Sequence, residues 1–337
     1  MEGAVSQEIE FTVAKENGLE LKRLPEIAEV DIDIGNKDDF EIIIPNTEWS
    51  EECYSYGCRI FVADTEYGGE IQDIESTTET EEVTIRGSTW RGRLKYKIVE
   101  PPAGKDYLTV SGDLNEILKE LIGDCFGGLF EVSEKATGIN VENWKVDRYV
   151  ALYDAIMKIL DRYQYRLDIR YIQPEGQEFG YVLLQAVPII DYSEDLEYSN
   201  EEKINVNVRD CRSGINHLVC VGEGENQERI VIHLYVQKDG GLGKTPYYVG
   251  KDELAAVYNY SSADAEKLEE GGIKRLQELQ NYKKCEMTIE DMNFQIGDIV
   301  SGYDTVTDTV VQKPVVQKIL KMKNGEITIE HKMKGDD

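Results

Sequence analysis

Positive charge is scarce in this chain. Its 337 residues carry 37 lysines and arginines against 66 aspartates and glutamates, a formal net charge of −29. Such a surface repels nucleic-acid backbones and anionic membranes, so no specific nucleic-acid binding is expected. Long apolar runs are missing, which excludes a membrane-spanning helix and argues against membrane insertion. The opening residues, MEGAVSQEIEFTVAKENG, have neither a basic region nor an apolar core, and no signal peptide is expected. Cysteine is sparse: Cys53, Cys58, Cys125, Cys211, Cys220 and Cys285 form no Cys-x-x-Cys and read as free thiols. The chain has no G-x-S-x-G and no H-E-x-x-H, and the glycine-rich run at 126–130 lacks the Lys-Ser/Thr of a phosphate loop. No enzyme activity and no cofactor are expected.

Short alternating segments dominate what is present. Residues 57–102 read as a meander: 60–63, 70–76 and 82–86 alternate, Gly68-Gly69 separates the first two, and Gly87 ends the third. Pro101-Pro102 then stops any helix. Upstream, 11–13 and 19–24 flank the turn Asn17-Gly18, while 27–34 and 40–44 read as strands. From 111 the pattern turns helical. Asp113 and Glu116 have capping-box spacing, and Leu114, Ile117, Leu118, Leu121, Ile122 and Cys125 share a face up to Gly127-Gly128. Asp147 is expected to cap a second helix with the stripe Leu152, Ile156, Ile159, Leu160 and Tyr163. Strands at 165–172 and 180–187 follow, and 191–202 reads as an acidic linker.

Residues 204–209 alternate, 215–221 and 229–236 read as a hairpin, and 240–243 reads as a flexible loop. A third helix runs from about 262 to 280, with Ala265, Leu268, Leu276 and Leu279 on one face. Its mid-helix Gly271-Gly272 marks either a kink or a close backbone contact. Residues 284–290 and 296–300 read as strands, and a last hairpin (310–322 and 326–331) turns at Asn324-Gly325. The class is α+β: small, mostly antiparallel barrels or sandwiches with a helical α+β insertion. The expected domains are 1–105, 106–200 and 201–337, the last containing one long helix.

Charge changes sign abruptly. Residues 26–85 hold eighteen acids and two bases, whereas 86–98 hold five bases and no acid, and 309–334 carry six lysines and two acids. Two opposite patches on one sheet domain would suit subunits meeting side by side. His217, Cys220, Cys211 and His233 invite a zinc reading, yet Cys220 points away from His217 at strand period and the spacing fits no zinc pattern. No metal site is expected. Glu223 and Glu225 form a carboxylate pair of the kind a glycosidase uses, but turn glutamates are mostly solvated. Tyrosine, at twenty against seven phenylalanines, suits interfaces as well as cores.

The order "strand, GG, strand, polar link, strand, G-x-T-W-R, basic strand, P-P" over 57–102 resembles the tail-hub proteins of long-tailed phages and phage-derived contractile particles. Further matching stretches are Gly222-Glu223-Gly224-Glu225 with Arg229, then Tyr258-Asn259-Tyr260-Ser261-Ser262, then Ile296-Gly297-Asp298-Ile299-Val300. Together they span about 30–335. The resemblance implies a virion structural protein at the distal end of the tail tube. It implies a homotrimer whose paired barrels form a pseudo-sixfold ring matching the hexameric tube, with the α+β portion carrying spike or fibre proteins. Implied partners are the tail-tube protein, spike or fibre tip proteins and the tape-measure protein; the implied location is the tail tip or baseplate, after assembly in the bacterial cytoplasm. Trp90, Arg91, Gly222, Gly224, Arg229, Gly297 and Asp298 become structural or interface candidates. Asp31, Asp33, Glu70 and Asp73 become candidates for a channel wall that repels DNA, with the basic runs 86–97 and 313–334 turned away. The alternatives are a carbohydrate- or receptor-binding tip module, for which Trp49, Trp90 and Trp144 are scattered, and a peptidoglycan hydrolase using Glu223 or Glu225.

Overall fold

A computed structural model describes residues 9–193, 204–211, 213–280, 282–290, 294–304, 306 and 308–334. The chain divides into two compact units. The first comprises Met1–Asn205, Met287–Tyr303 and Val310–Lys334; the second comprises Val206–Glu286, Asp304–Thr309 and Gly335–Asp337.

The first unit is built on a long, mostly antiparallel sheet. The strand Glu29–Ile34 lies between Asp39–Pro45 and Thr309–Lys323, and Asp39–Pro45 pairs with Glu82–Thr89. Next come Gly68–Thr77, Arg59–Phe61, Thr12–Ala14 and Glu20–Arg23. Period-two alternation sets the faces. Met322, Val30, Ile42, Ile85 and Ile74 align across five strands as one apolar row. The strand order is a path ending at Glu20–Arg23, and among the described residues no pairing closes it into a barrel.

Gly87 does not end its strand, which runs on to Thr89. A Cβ at Gly87 would lie 2.7 Å from the Phe40 ring, so the glycine admits that ring and does not break the ladder. The basic run expected as a strand is instead the short helix Trp90–Lys95, capped by the Thr89 side chain, followed by the strand Ile98–Val99.

The α+β portion packs two helices against a three-stranded sheet of Phe130–Val132, Tyr181–Pro188 and Tyr165–Ile172, its first pair parallel. The helix Leu114–Ile122 has the complete Asp113/Glu116 capping box. It stops at Gly123 (φ +45°) before reaching Gly127-Gly128, which leaves Cys125 exposed. The second helix, Leu152–Arg162, starts after Ala151, and Asp147 does not cap it. Val150 and Ala151 are held extended against Val99 and Ile98, and Asp147 pairs with Lys158 instead. Leu152, Ile156, Ile159 and Leu160 are buried as expected. One core runs from Phe61, Trp90 and Leu94 through both helices to Val182 and Leu184.

In the second unit a four-stranded sheet has the order Leu242–Gly243, Val231–Val236, His217–Val221, Ala255–Asn259, the last pair parallel. The stretch read as a flexible loop thus includes a short strand. The helix Ala265–Leu279 covers one face with Leu268, Gly272 and Leu276, while Ala265 is exposed. A Cβ at Gly272 would sit 2.5 Å from the Cys220 sulfur and 2.9 Å from Leu234 Cδ1. The glycine pair therefore marks a close approach of helix to sheet. Of the stretch read as a linker, 194–202 lie outside the described residues.

Candidate functional site

The expected opposite patches are in fact one interleaved ladder. Register places Lys321, Asp31, Glu41, Arg86 and Asp73 in a row across five strands on the outer face. Arg86 Nε donates to Glu41 Oε2 at 2.6 Å, and its Nη1 donates to Glu75 at 2.8 Å and Asp73 at 3.3 Å. Lys321 lies 3.5 Å from Asp31 and Lys323 3.0 Å from Glu29. Arg93 pairs with Glu70 and Lys95 with Asp38. Arg86, Arg93, Lys95, Lys321 and Lys323 of the basic runs therefore lie against the acidic block. Sequence blocks of opposite sign became neighbours because the basic strands insert between or beside acidic ones, where cross-strand pairs of opposite charge are favourable.

The four acids expected on a channel wall separate by environment. Asp31 and Asp73 are exposed. Asp33 is buried and accepts from Gln317 Nε2 at 2.9 and 3.0 Å. Glu70 is half-buried; burial pushes its carboxyl up, against the pull of Arg93 and Arg59.

Trp90 and Arg91 are both interior. Trp90 joins the ring stack of Phe61 and Tyr171, whose centroids are 3.6 Å apart. Arg91 grips Glu66 with Nε on one carboxylate oxygen and Nη2 on the other, and gives a further bond to Leu167 O at 2.9 Å. A second buried joint links Arg166 to Asp298 Oδ1 at 2.8 Å and to Asp168 at 3.0 Å. Gly297, at φ +101°, holds this corner: a Cβ there would be 2.8 Å from Arg166 Cβ. The sequence reading found Trp90, Arg91, Gly297 and Asp298 but missed Glu66, Arg166 and Asp168. Glu66 meets Arg91 and Arg166 meets Asp298 from far away in sequence, so only the fold pairs them; Asp168 lies two residues from Arg166 on the same strand, and what hid it is that this pair is buried.

Lys318, from the basic run 313–334, is buried between these joints. Its ammonium donates to Gln295 Oε1 at 2.9 Å and sits 4.8 Å from the Tyr67 ring centroid. Burial pushes its pKa down to about 8 from an ordinary 10.5, with Glu66 opposing the shift and Arg91 reinforcing it. Between these values the unfolded chain binds more protons than the folded one, so this group's contribution to stability rises with pH across that window. Below it, the buried charge carries its full desolvation cost. In wild type relative to Lys318→Met, unfolding free energy should therefore improve by about 1–3 kcal/mol from pH 7 to pH 10. Urea titrations of both proteins at several pH values measure this; a difference independent of pH would contradict a buried, titrating ammonium.

In the second unit, Gly222, Gly224 and Arg229 organise the end of the hairpin. Gly222 is pressed against Ala263 O and Leu268, Gly224 takes φ +102°, and Arg229 donates to Gly222 O at 3.2 Å and Asn259 Oδ1 at 3.0 Å. Glu223 and Glu225 are exposed on this turn. Cys220 is buried beneath the helix, while His217 faces the other side and meets His233: Nε2 to Nδ1 is 2.8 Å. Among the described residues no group of three or more His, Cys, Asp or Glu is placed to hold a metal ion. Cys53, Cys58, Cys125 and Cys220 are free.

No protein-family model and no curated protein matches the sequence. Among solved structures, the chain is similar to the 43 kDa tail protein of prophage MuSo2 from Shewanella oneidensis. That likeness covers 96% of this chain and 98% of the other at 10% identity, with a TM-score of 0.50. It is also similar to a chain of the p2 virion baseplate in its activated conformation (98% and 100% covered, 11% identity, TM-score 0.48). A third is the prophage tail protein gp18 from Listeria monocytogenes (97% and 95% covered, 13% identity, TM-score 0.47). The chain thus shares its fold, over nearly its whole length, with the MuSo2 tail protein.

Proposed function

We propose that the chain is a structural tail-hub protein at the distal end of a phage or phage-like tail tube, adapting the tube to the spike or fibre tip. The observation that carries this reading is the end-to-end likeness of fold to a prophage tail protein. It agrees with the order of the motifs, which together span about 30–335. In this reading the barrel-like domains of 1–105 and 201–337 interleave, since Thr309–Lys323 pairs with Glu29–Ile34; 106–200 is the α+β insertion toward the tip, and three copies form a pseudo-sixfold ring. The ring contacts tail-tube, spike or fibre, and tape-measure proteins in the virion tail tip after assembly in the bacterial cytoplasm. The role is assembly without turnover.

The motif residues act within the subunit: Trp90, Arg91, Gly297 and Asp298 join distant strands, and Gly222, Gly224 and Arg229 hold a hairpin end. Exposed tyrosines such as Tyr56, Tyr96 and Tyr149 are the available interface side chains. Asp31 and Asp73 are exposed and can face a channel, each beside a base, Lys321 and Arg86; Asp33 and Glu70 are engaged internally.

Cryo-electron microscopy of the intact particle tests the proposal. Three copies per tail, in one ring at the tube end, are expected; a twofold dimer there would overturn it. Purified chain should release no fragments from peptidoglycan, and activity abolished by Glu223→Gln or Glu225→Gln would replace this reading with hydrolysis.

A further inference from the structure

His217 and His233 come from neighbouring strands, yet they are not directly opposite: His217 faces Tyr235, and His233 faces Val219. The two rings meet diagonally on the sheet face not covered by the helix. Their facing nitrogens, His217 Nε2 and His233 Nδ1, are 2.8 Å apart. Behind His217, Nδ1 lies 2.6 Å from Glu253 Oε1. With its proton on Nδ1, His217 donates to the carboxylate, which leaves the Nε2 lone pair aimed at His233. Tyr235 stacks on His217 at 4.3 Å and fixes the ring plane.

Glu253 is itself positioned. The side chain of Asn216, next to His217, donates to Asp252 O at 2.8 Å and accepts from Leu254 N at 2.9 Å. These bonds bracket Glu253 from both sides. A carboxylate on the far nitrogen of an imidazole is the usual support behind a metal-bound histidine, since it sets the tautomer and strengthens the donor.

We propose that His217 and His233 form a two-imidazole site for a divalent first-row transition-metal ion, with Glu253 as the positioning residue behind His217. The ion takes the place of the hydrogen between the rings. His233 moves its ring proton from Nδ1 to Nε2, so both facing nitrogens become ligands with no net proton lost. Metal–nitrogen bonds of about 2.0–2.1 Å at a tetrahedral angle need the nitrogens about 3.3 Å apart. The exposed His233 ring supplies the half-ångström of movement. Water fills the remaining positions. Imidazole donors without a thiolate favour nickel, copper or zinc over magnesium and calcium. Cys220 takes no part, because it lies on the opposite face.

The test is nickel binding by the full-length chain, reduced, with excess magnesium to occupy surface carboxylates, read by equilibrium dialysis with metal analysis. One saturable nickel per chain is expected. His233→Asn, a change at an exposed position, should abolish it, as should His217→Gln. Glu253→Gln should weaken binding 10- to 100-fold, and Cys220→Ser should leave it unchanged. Absence of saturable binding, or binding that survives His233→Asn in a folded variant, would overturn the proposal.

Discussion

Glu66→Ala is expected to lower unfolding free energy by about 3–5 kcal/mol, because it strands the Arg91 guanidinium in the interior. Arg91 and Glu66 are only 1% and 2% exposed at the side chain, and both carboxylate oxygens are used. The remaining partners, Leu167 O and the Tyr153 hydroxyl at 3.3 Å, are neutral and cannot offset a full charge. Replacing both members by apolar residues of similar size, Glu66→Leu with Arg91→Met, should recover most of the loss, since it removes the stranded charge as well. Trp49, Trp90 and Trp144 all belong to the first unit. Tryptophan fluorescence during urea unfolding therefore reports on the unit that holds the pair. A Glu66→Ala protein within about 1 kcal/mol of wild type would show that water or a rearranged partner reaches Arg91.

Asp298→Ala should be comparably damaging, at about 3–5 kcal/mol. Asp298 Oδ1 accepts from Arg166 Nε at 2.8 Å and from Ile190 N at 3.2 Å, and Oδ2 accepts from Gln295 N at 3.1 Å. One carboxylate thus satisfies a buried cation and two backbone donors from separate segments. Asp298→Asn keeps an acceptor but loses the charge opposite Arg166, so a smaller loss of about 1.5–3 kcal/mol is expected. Arg166 retains Asp168, which distinguishes this joint from the Arg91 pair; because Arg166 and Asp298 share one contact, Arg166→Met with Asp298→Ala should still cost less than the sum of the two single changes. The same fluorescence titration measures Asp298→Ala, Asp298→Asn, Arg166→Met and the double variant. Equal, small losses for Ala and Asn would mean that the corner is held by its backbone bonds alone, such as Val315 N to Asp298 O at 2.8 Å.

These two joints place Arg91 of G-x-T-W-R and Asp298 of I-G-D-I-V in the interior. Arg91 and Asp298 each satisfy several distant groups at once, so the local string around each is constrained by the interior. The His217–His233 pair shows the reverse. Its two rings could be placed near one another from the hairpin alone, but Glu253 could not, because it lies just before the parallel strand Ala255–Asn259, which follows a long excursion in sequence.

What the sequence alone determined is what depends on near neighbours. Alternation marked the strands Glu29–Ile34 and Asp39–Pro45, Asp113 with Glu116 marked a helix start, and Asn324-Gly325 marked a hairpin that the structure realises with both residues at positive φ. Periodicity and capping act over a few residues, so they can be read from the string. Tertiary structure alone decided that Thr309–Lys323 lies beside Glu29–Ile34, that its lysines neutralise Asp31 and Glu29, and that Lys318 goes inside. It also decided that Asp147 would not cap a helix and that Gly87 would admit a ring. Each of these outcomes rests on pairing with a segment remote in the chain, and no local pattern specifies which segment that is.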